Sequence, residues 1–360
     1  MRVLQIIDSL EAGGAERMAV NYANALSKRV AFSGIVVTRE EGPLMLFLNT
    51  NVTYFFLNKR SSFDLNALFR LKAFVLKNNI NLVHAHSTSF FTAFLLKFIC
   101  PSLNIIWHDH YGDSEFLHKR PSLVLKLTLP FFTGIISVNQ KLKDWAKNQM
   151  RFNNSLYLPN FVSEESSIQE TTILKGIDGK RIVCLANLRI QKNHFLLLAV
   201  AKRIKIVFPD WTFHLVGKDS DDFYSEKLKK IICELELKET VFIYGTRSDI
   251  SSILKQSTIG ILTSQSEGLP VALLEYGLHK KPVVVTDVGE VSSVIVDGSN
   301  GFIVSVGNEI IFYDALLKLI KDEILRLEFG NSLRKTIIDS YSENVVMKQY
   351  LNWLQSTIQK

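Results

Sequence analysis

The sequence predicts an α/β protein of two Rossmann-like domains, each built on a parallel sheet, with the two sheets facing each other across a cleft. Three observations predict it. The chain has 360 residues, where a single domain takes roughly 100–200. Short apolar runs alternate with longer helical patterns from end to end, which is the pattern of βαβ units. The alternation breaks once near the middle, at Tyr157-Leu-Pro-Asn160.

Taken in order, strand-like runs occupy residues 3–7, 34–37, 53–57, 81–85, 104–107 and 134–138. Helical patterns lie between them; in the first, Met18, Tyr22 and Leu26 recur at i, i+4 and i+8, the spacing of one buried face. A further strand then ends against the Pro159-Asn160 turn, and residues 163–172 are polar without an apolar period, which reads as a linker. A second series of strands follows at 181–185, 212–216, 240–244, 258–262 and 282–285. The tail from 343 to 358 carries Val346, Tyr350, Trp353 and Leu354 at helical spacing, so it is expected to be a closing helix that needs a partner surface. The boundaries expected are 1–162 for the first domain, 163–340 for the second, and 341–360 for a helix returning to the first.

Composition narrows the class. With 47% hydrophobic and 21% charged residues, the chain is globular and long disorder is not expected. Cys100, Cys184 and Cys233 are far apart in apolar runs and read as core thiols, consistent with a reducing cytoplasm. Asp8 interrupts the first apolar run, so an exported leader is not expected. No stretch approaches about 20 apolar residues, the length that spans a bilayer. The net charge of +7 fits an anionic substrate or an acidic membrane surface. Nucleic acid is not an expected partner, because no zinc-finger spacing or RNA-binding aromatic signature is present.

Open parallel sheets bind ligands beyond the carboxyl ends of their strands, so functional residues should follow these runs. After the run 258–262 comes Glu267-Gly-Leu-Pro-Val-Ala-Leu-Leu-Glu275. Gly268 lets a ligand approach the backbone, Pro270 suits a first helical turn, and the unpaired amides at a helix start attract anions or sugar hydroxyls. Glu275 stands among apolar neighbours, and a carboxylate buried there needs a partner. Lys192, with Arg189 three residues before it, follows the run 181–185 and precedes a helix, where cations can neutralise a leaving diphosphate. A helix start repels positive charge unless an anion is present. Gly13 and Gly14 follow the first strand, and their amides can face a ligand. The absence of G-x-G-x-x-G argues against NAD.

The segment Ser264-Gln-Ser-Glu-Gly-Leu-Pro-Val-Ala-Leu-Leu-Glu-Tyr-Gly277 resembles the E-x7-E signature of family 4 glycosyltransferases, whose fold is GT-B. Gly13-Gly-Ala-Glu-Arg17 is similar to that family's N-terminal glycine loop, and Leu188-Arg-Ile-Gln-Lys-Asn-His194 to its phosphate-binding segment. Gly245-Thr-Arg-Ser-Asp249 and Asp297-Gly-Ser-Asn-Gly301 fall where the family has its G-x-x-x-D and D-G-x-x-G turns. The sequence departs from the pattern at Asn187, where many members have arginine, and at Ser293, where many have glutamate. The resemblance implies an acceptor-side first domain and a second domain that binds a nucleoside diphosphate sugar. It implies that Glu275 holds the ribose and Glu267 a sugar hydroxyl, with backbone contacts from Gly268, Leu269 and Pro270, and that the reaction retains anomeric configuration. Neither a cofactor nor a metal is implied. The rivals it leaves open are a sugar-nucleotide 2-epimerase and an inactive homologue serving as a binding subunit.

Two His-x-His pairs, His84/His86 and His108/His110, are expected just after strands, with the members of each pair on one side. No HExxH or cysteine set accompanies them, so a metal site is not expected. The resemblance places one catalytic-region histidine in Trp107-His-Asp-His-Tyr-Gly112; His110, nearest the following glycine, is favoured over His108 two residues earlier, and His108 with His86 is an acceptor-side candidate. His84 and His86 read as structural or as lining the acceptor side. The phenylalanines of residues 87–99 are expected mostly in the core. The segment 116–126, with His118, Lys119, Arg120 and Lys126 among leucines, is either a solvated basic helix or a contact with lipid headgroups on the inner face of the cytoplasmic membrane.

Overall fold

The computed structural model describes residues 1–163 and 172–358; most of the expected linker lies outside the described residues. The chain packs as two compact units, Met1–Phe161 with Glu343–Lys360, and Val162–Ser342.

The first unit begins β1 (Arg2–Ser9), α1 (Gly14–Ser27), β2 (Phe32–Glu40), β3 (Thr53–Phe56), α2 (Leu65–Lys77) and β4 (Leu82–His86). It continues with α3 (Phe90–Ile99), β5 (Asn104–Asp109), α4 (Leu123–Thr128), β6 (Gly134–Ser137), α5 (Gln140–Asn148) and β7 (Ser155–Tyr157). Its sheet runs β3-β2-β1-β4-β5-β6-β7, with every pair parallel. Buried on both faces, such a sheet needs near-continuous apolar strands, which Ile105–Trp107 and, interrupted by the buried Gln5, Val3–Ile7 supply with each of these residues at most 2% exposed.

The second unit comprises β8 (Arg181–Leu185), α6 (His194–Val207), β9 (Thr212–Val216), α7 (Phe223–Glu234), β10 (Val241–Gly245), α8 (Ile250–Gln256) and β11 (Ile259–Leu262). Then come α9 (Val271–Leu278), β12 (Val283–Thr286), α10 (Val291–Val294), β13 (Phe302–Val304), α11 (Glu309–Lys321) and α12 (Glu323–Tyr341). The sheet order is β10-β9-β8-β11-β12-β13, again parallel. The three-residue strand β13 follows the Asp297–Gly301 turn and is too short to show a period in the sequence. Helices α9 and α12 cross where Gly277 leaves no room for a side chain: a Cβ there would lie 2.4 Å from Ile337.

The last helix, α13 (Glu343–Ile358), belongs to the first unit. Val346, Met347, Tyr350 and Leu354 are its buried stripe. Trp353 sits over Gly134, where a Cβ would come within 2.6 Å of its ring, and Arg29 holds the start of the helix through Glu343 and Asn344, both at 2.7 Å.

In each sheet the strand order reverses once, between β1 and β4 in the first unit and between β8 and β11 in the second. At such a reversal, beyond the carboxyl ends of the strands, an open α/β sheet takes its ligand.

Candidate functional site

The reversal point of the second unit brings together the segments that follow β8 and β11. Gln265 N donates to Gln191 O at 2.7 Å, and Thr263 Oγ1 donates to Lys192 O at 2.9 Å. This stitching aims the Lys192 ammonium at Glu267, whose Oε1 it meets in a close ion pair while also accepting from Ser264 Oγ at 2.7 Å. Glu267 is 7% exposed, so its charge depends on these partners. The anion that a cation near a helix start requires is therefore present within the protein. Arg189 is exposed and makes no side-chain bond or ion pair among the described residues. Asn187 is structural: its Oδ1 accepts from Lys218 N at 2.8 Å and ties the segment after β8 to that after β9.

Gly268, Leu269 and Pro270 form the buried turn into α9. Pro270 stands one position before the helix, as its N-cap, and no side chain caps it, leaving first-turn amides available to an anion. The expected burial of Glu275 is corrected by the structure: it is partly exposed, while Leu273, Leu274 and Tyr276 are buried. The apolar sequence around it belongs to the opposite face of the helix.

Two residues of this region carry no signal in the sequence. Tyr276, fully buried, accepts from Leu185 N at 2.7 Å and contacts Val183 O and Ile261 O at 3.3 Å, clasping β8 to β11 where their own ladder ends. Gly289 has φ +56°, and a Cβ there would stand 2.3 Å from both Glu267 O and Gly268 O. Glu290 N donates to Gly268 O at 2.8 Å, so the loop after β12 supports the 267–270 turn from behind.

In the first unit Gly13 is the N-cap of α1 and Gly14 its first residue. The Glu16 carboxylate lies over Gly13, where a Cβ would be 2.1 Å from Oε2. The histidine pairs do not follow the strands as expected: His84 and His86 lie within β4 and His108 within β5, and His110 alone is just past its strand. Register places His86 beside His108, so all four rings share one face. They form two hydrogen-bonded layers. His84 Nε2 meets His108 Nδ1 at 3.2 Å and Tyr350 Oη meets His84 Nδ1 at 3.1 Å. His86 Nδ1 meets His110 Nε2 at 3.0 Å and His86 Nε2 meets Gln5 Oε1 at 2.8 Å. The layers stack, with centroids 4.4 Å apart for His84–His86 and 3.9 Å for His108–His110, and Tyr22 covers the stack edge-on.

Burial holds every ring neutral at neutral pH: His84 and His110 are pushed down to about 3, and His86 and His108 well below the usual range, with neighbouring histidines adding to it. Ring nitrogens of His84, His86 and His108 lie within 4.8 Å of one another, a clustering that the sequence did not reveal. His84 and His86 use both ring nitrogens in hydrogen bonds, whereas His108 Nε2 is buried without a hydrogen-bond partner among the described residues. The loop carrying His110 is pinned by Arg120, which binds Asp109 at 2.6 and 2.8 Å and packs over Tyr111 and Trp145. Arg120 is thus committed to a buried ion pair and is removed from any headgroup-binding set, whereas His118, Lys119 and Lys126 are exposed.

Comparison with known proteins accords with this arrangement. The model described as Glycosyltransferase Family 4 matches residues 12–166, and that described as Glycosyl transferases group 1 matches residues 169–336. The poly(ribitol-phosphate) alpha-N-acetylglucosaminyltransferase of Staphylococcus aureus is 25% identical over 71% of this chain, which spans 50% of that protein. The N-acetyl-alpha-D-glucosaminyl L-malate synthase of Bacillus anthracis is 23% identical over 86% of this chain and 83% of its own length. The UDP-Gal:alpha-D-GlcNAc-diphosphoundecaprenol alpha-1,3-galactosyltransferase of Escherichia coli is 24% identical over 84% of each. Among solved structures, TarM superposes with TM-score 0.79 over 98% of both chains at 14% identity. Anabaena Alr3699/HepE in complex with UDP-glucose gives 0.79 over 99% of this chain and 100% of its own at 17% identity. The fold is therefore the two-domain α/β fold of GT-B proteins.

Proposed function

Because the chain belongs to the family 4 glycosyltransferases, we propose that this enzyme moves a sugar from a nucleoside diphosphate sugar to a hydroxyl of a glycan or lipid-linked acceptor, with retention at the anomeric carbon. The observation that carries this reading is the meeting of Lys192, Glu267 and Ser264 beside the uncapped start of α9, at the point where the strand order of the second unit reverses. UDP-sugars named for the relatives make a UDP-sugar the first donor to test.

In the proposed reaction the donor diphosphate draws the Lys192 ammonium from Glu267, and Lys192 with the α9 amides neutralises the leaving group. Glu267, freed of its cation, accepts from a sugar hydroxyl, and Glu275 accepts from the ribose. The anomeric carbon–phosphate oxygen bond breaks as the carbon–acceptor oxygen bond forms, and the acceptor proton passes to the departing phosphate. His110 contributes a neutral imidazole on the sugar or acceptor side, with its ring orientation set by His86. No metal is part of this proposal.

The test is donor turnover with a panel of UDP-, GDP- and dTDP-sugars and glycan or lipid-linked acceptors, reading released nucleotide and, by NMR, product configuration. Glu275→Ala is expected to raise the donor KM by about tenfold to a hundredfold, the worth of a hydrogen bond to a charged group. If no sugar nucleotide is consumed, or Glu275→Ala leaves the KM unchanged, the reading fails.

We place the enzyme on the inner face of the cytoplasmic membrane, in cell-surface polysaccharide or lipopolysaccharide synthesis. Among the described residues no helix is long and apolar enough to cross a membrane. The support is an apolar surface larger than the sequence suggested. Phe98, expected in the core, is 57% exposed and packs with Phe94 and Phe131. Leu123 and Leu127 on α4 continue the patch at 71% and 65% exposed, with Lys126 between them. In vesicle co-sedimentation, binding to phosphatidylglycerol should exceed that to phosphatidylcholine, and Phe98→Asp with Leu127→Asp should reduce it at least about tenfold; equal binding of both lipids by wild type and variant removes the proposal.

A further inference from the structure

The strand reversal of the first unit lies between β1 and β4, and the residues beyond those ends form a charged notch that none of the roles above uses. Asp8, near the end of β1, accepts from Thr38 Oγ1 at 2.5 Å and from Thr88 Oγ1 at 2.6 Å. Arg39, at the end of β2, stands 4.0 Å from the same carboxylate. Beyond β3, Asn58 turns the chain at φ +49°, a conformation asparagine tolerates, and sends Lys59 inward. Lys59 is 9% exposed as a residue. Its ammonium donates to Thr92 Oγ1 at 2.6 Å, and among the described residues no carboxylate lies within ion-pair distance of it.

This is an unusual environment for a lysine. An ammonium has three donors and no acceptor, and this one uses a single neutral hydroxyl. Removing such a charge from water without an anion is costly. Burial lowers its pKa, and Arg39 adds to the effect while Asp8 and Asp64 oppose it. Neither carboxylate is free to neutralise it fully. Asp8 is engaged by two hydroxyls and Arg39, and Asp64 caps α2 by accepting from Ala67 N at 2.9 Å and Arg60 N at 3.1 Å. Two cations thus share one available carboxylate at the position where an open α/β sheet takes its ligand.

We infer that Lys59, with Thr92 and Arg39, forms a binding site for an anionic oxygen group, a phosphate or a carboxylate, on the acceptor. Only the word acceptor rests on the transferase reading. The ammonium supplies the charge and Thr92 orients it, while Asp8, held by the hydroxyls of Thr38 and Thr88, keeps Arg39 beside the site.

The experiment uses full-length protein carrying Lys192→Ala, which weakens phosphate binding at the proposed diphosphate site, and titrates inorganic phosphate, sn-glycerol 3-phosphate and malonate by calorimetry, with Lys59→Met compared in the same background. Saturable binding is expected, weakened at least about tenfold by Lys59→Met, as loss of one charge-assisted hydrogen bond implies, and largely kept in Lys59→Arg. A preference for the phosphates identifies a phosphate-bearing acceptor, and a preference for malonate a carboxylate. Circular dichroism and Tm establish that Lys59→Met is folded; the substitution removes an unpaired buried charge and should not lower Tm. Folded Lys59→Met that binds these anions as tightly as its parent, or a parent that binds none of them saturably, overturns the site. Because the measurement needs no turnover, a failure of sugar transfer leaves it interpretable. If transfer is found, Lys59→Met should raise the acceptor KM at least about tenfold and leave the donor KM unchanged, the signature of lost acceptor binding.

Discussion

Replacing Lys192 by alanine should lower kcat/KM for the donor by about 10²–10³, the effect of deleting one preorganised donor to developing negative charge. The geometry sets the direction. The ammonium reaches the carboxyl edge of the second sheet and rests there on Glu267, so it is held at the site before the donor arrives and exchanges one anionic partner for another. The same substitution leaves a 7% exposed carboxylate with the Ser264 hydroxyl but without its cation. Loss of one partner from a fully buried pair costs about 3–5 kcal/mol, and with Lys192 itself partly exposed about 1–3 kcal/mol is expected here. Adding Glu267→Gln should recover much of that stability and none of the activity, because the two side chains act as a coupled pair. The measurements are steady-state kinetics and urea unfolding of both single variants and the double. A Lys192→Ala enzyme within threefold of wild type in kcat/KM removes Lys192 from the reaction.

Gly289→Ala should be nearly as damaging, although no reaction step uses Gly289. At φ +56° an alanine is strained by roughly 1–2 kcal/mol. Its Cβ would also meet two carbonyl oxygens of the 267–270 turn at 2.3 Å, so the turn must move. Displacing a positioned group by about 1 Å can cost about a hundredfold in rate. Donor affinity and kcat/KM should therefore fall together while acceptor binding is unaffected. Wild-type donor affinity in a well-folded Gly289→Ala enzyme would show that the turn tolerates the shift.

Much of this protein is legible along the chain because its signals are local. Parallel strands buried on both faces read as apolar runs, and eleven such runs plus the strand before Pro159 locate β1 to β12. The Glu267–Glu275 stretch is readable because a turn and the helix after it draw on neighbouring residues. Where the reading went astray, the deciding contact is remote. The histidines could not be assigned to strand interiors from alternation alone, since a buried polar ring is accepted only when other rings satisfy it, and Tyr350 stands 266 residues from His84. Arg120 reads as a surface cation along the chain, but its guanidinium lies 2.6 Å from the buried Asp109 carboxylate. Glu275 looked buried because its helix is apolar on the face that Leu333 and Ile337 of α12 cover.

The sequence by itself therefore determined the elements, their parallel sheets and the family, because propensity, period and turn chemistry act over a few residues. The tertiary structure alone decided which charges meet. Lys192 and Glu267 are 75 residues apart and become partners because β8 and β11 are neighbours in the sheet, which puts the segments after both strands side by side. Lys59 comes to lie beside Thr92 and near Asp8, with no carboxylate within ion-pair distance among the described residues, through the same reversal in the first sheet. A buried charge is stabilised or left unsatisfied by what surrounds it in space, and the order of the strands sets those surroundings.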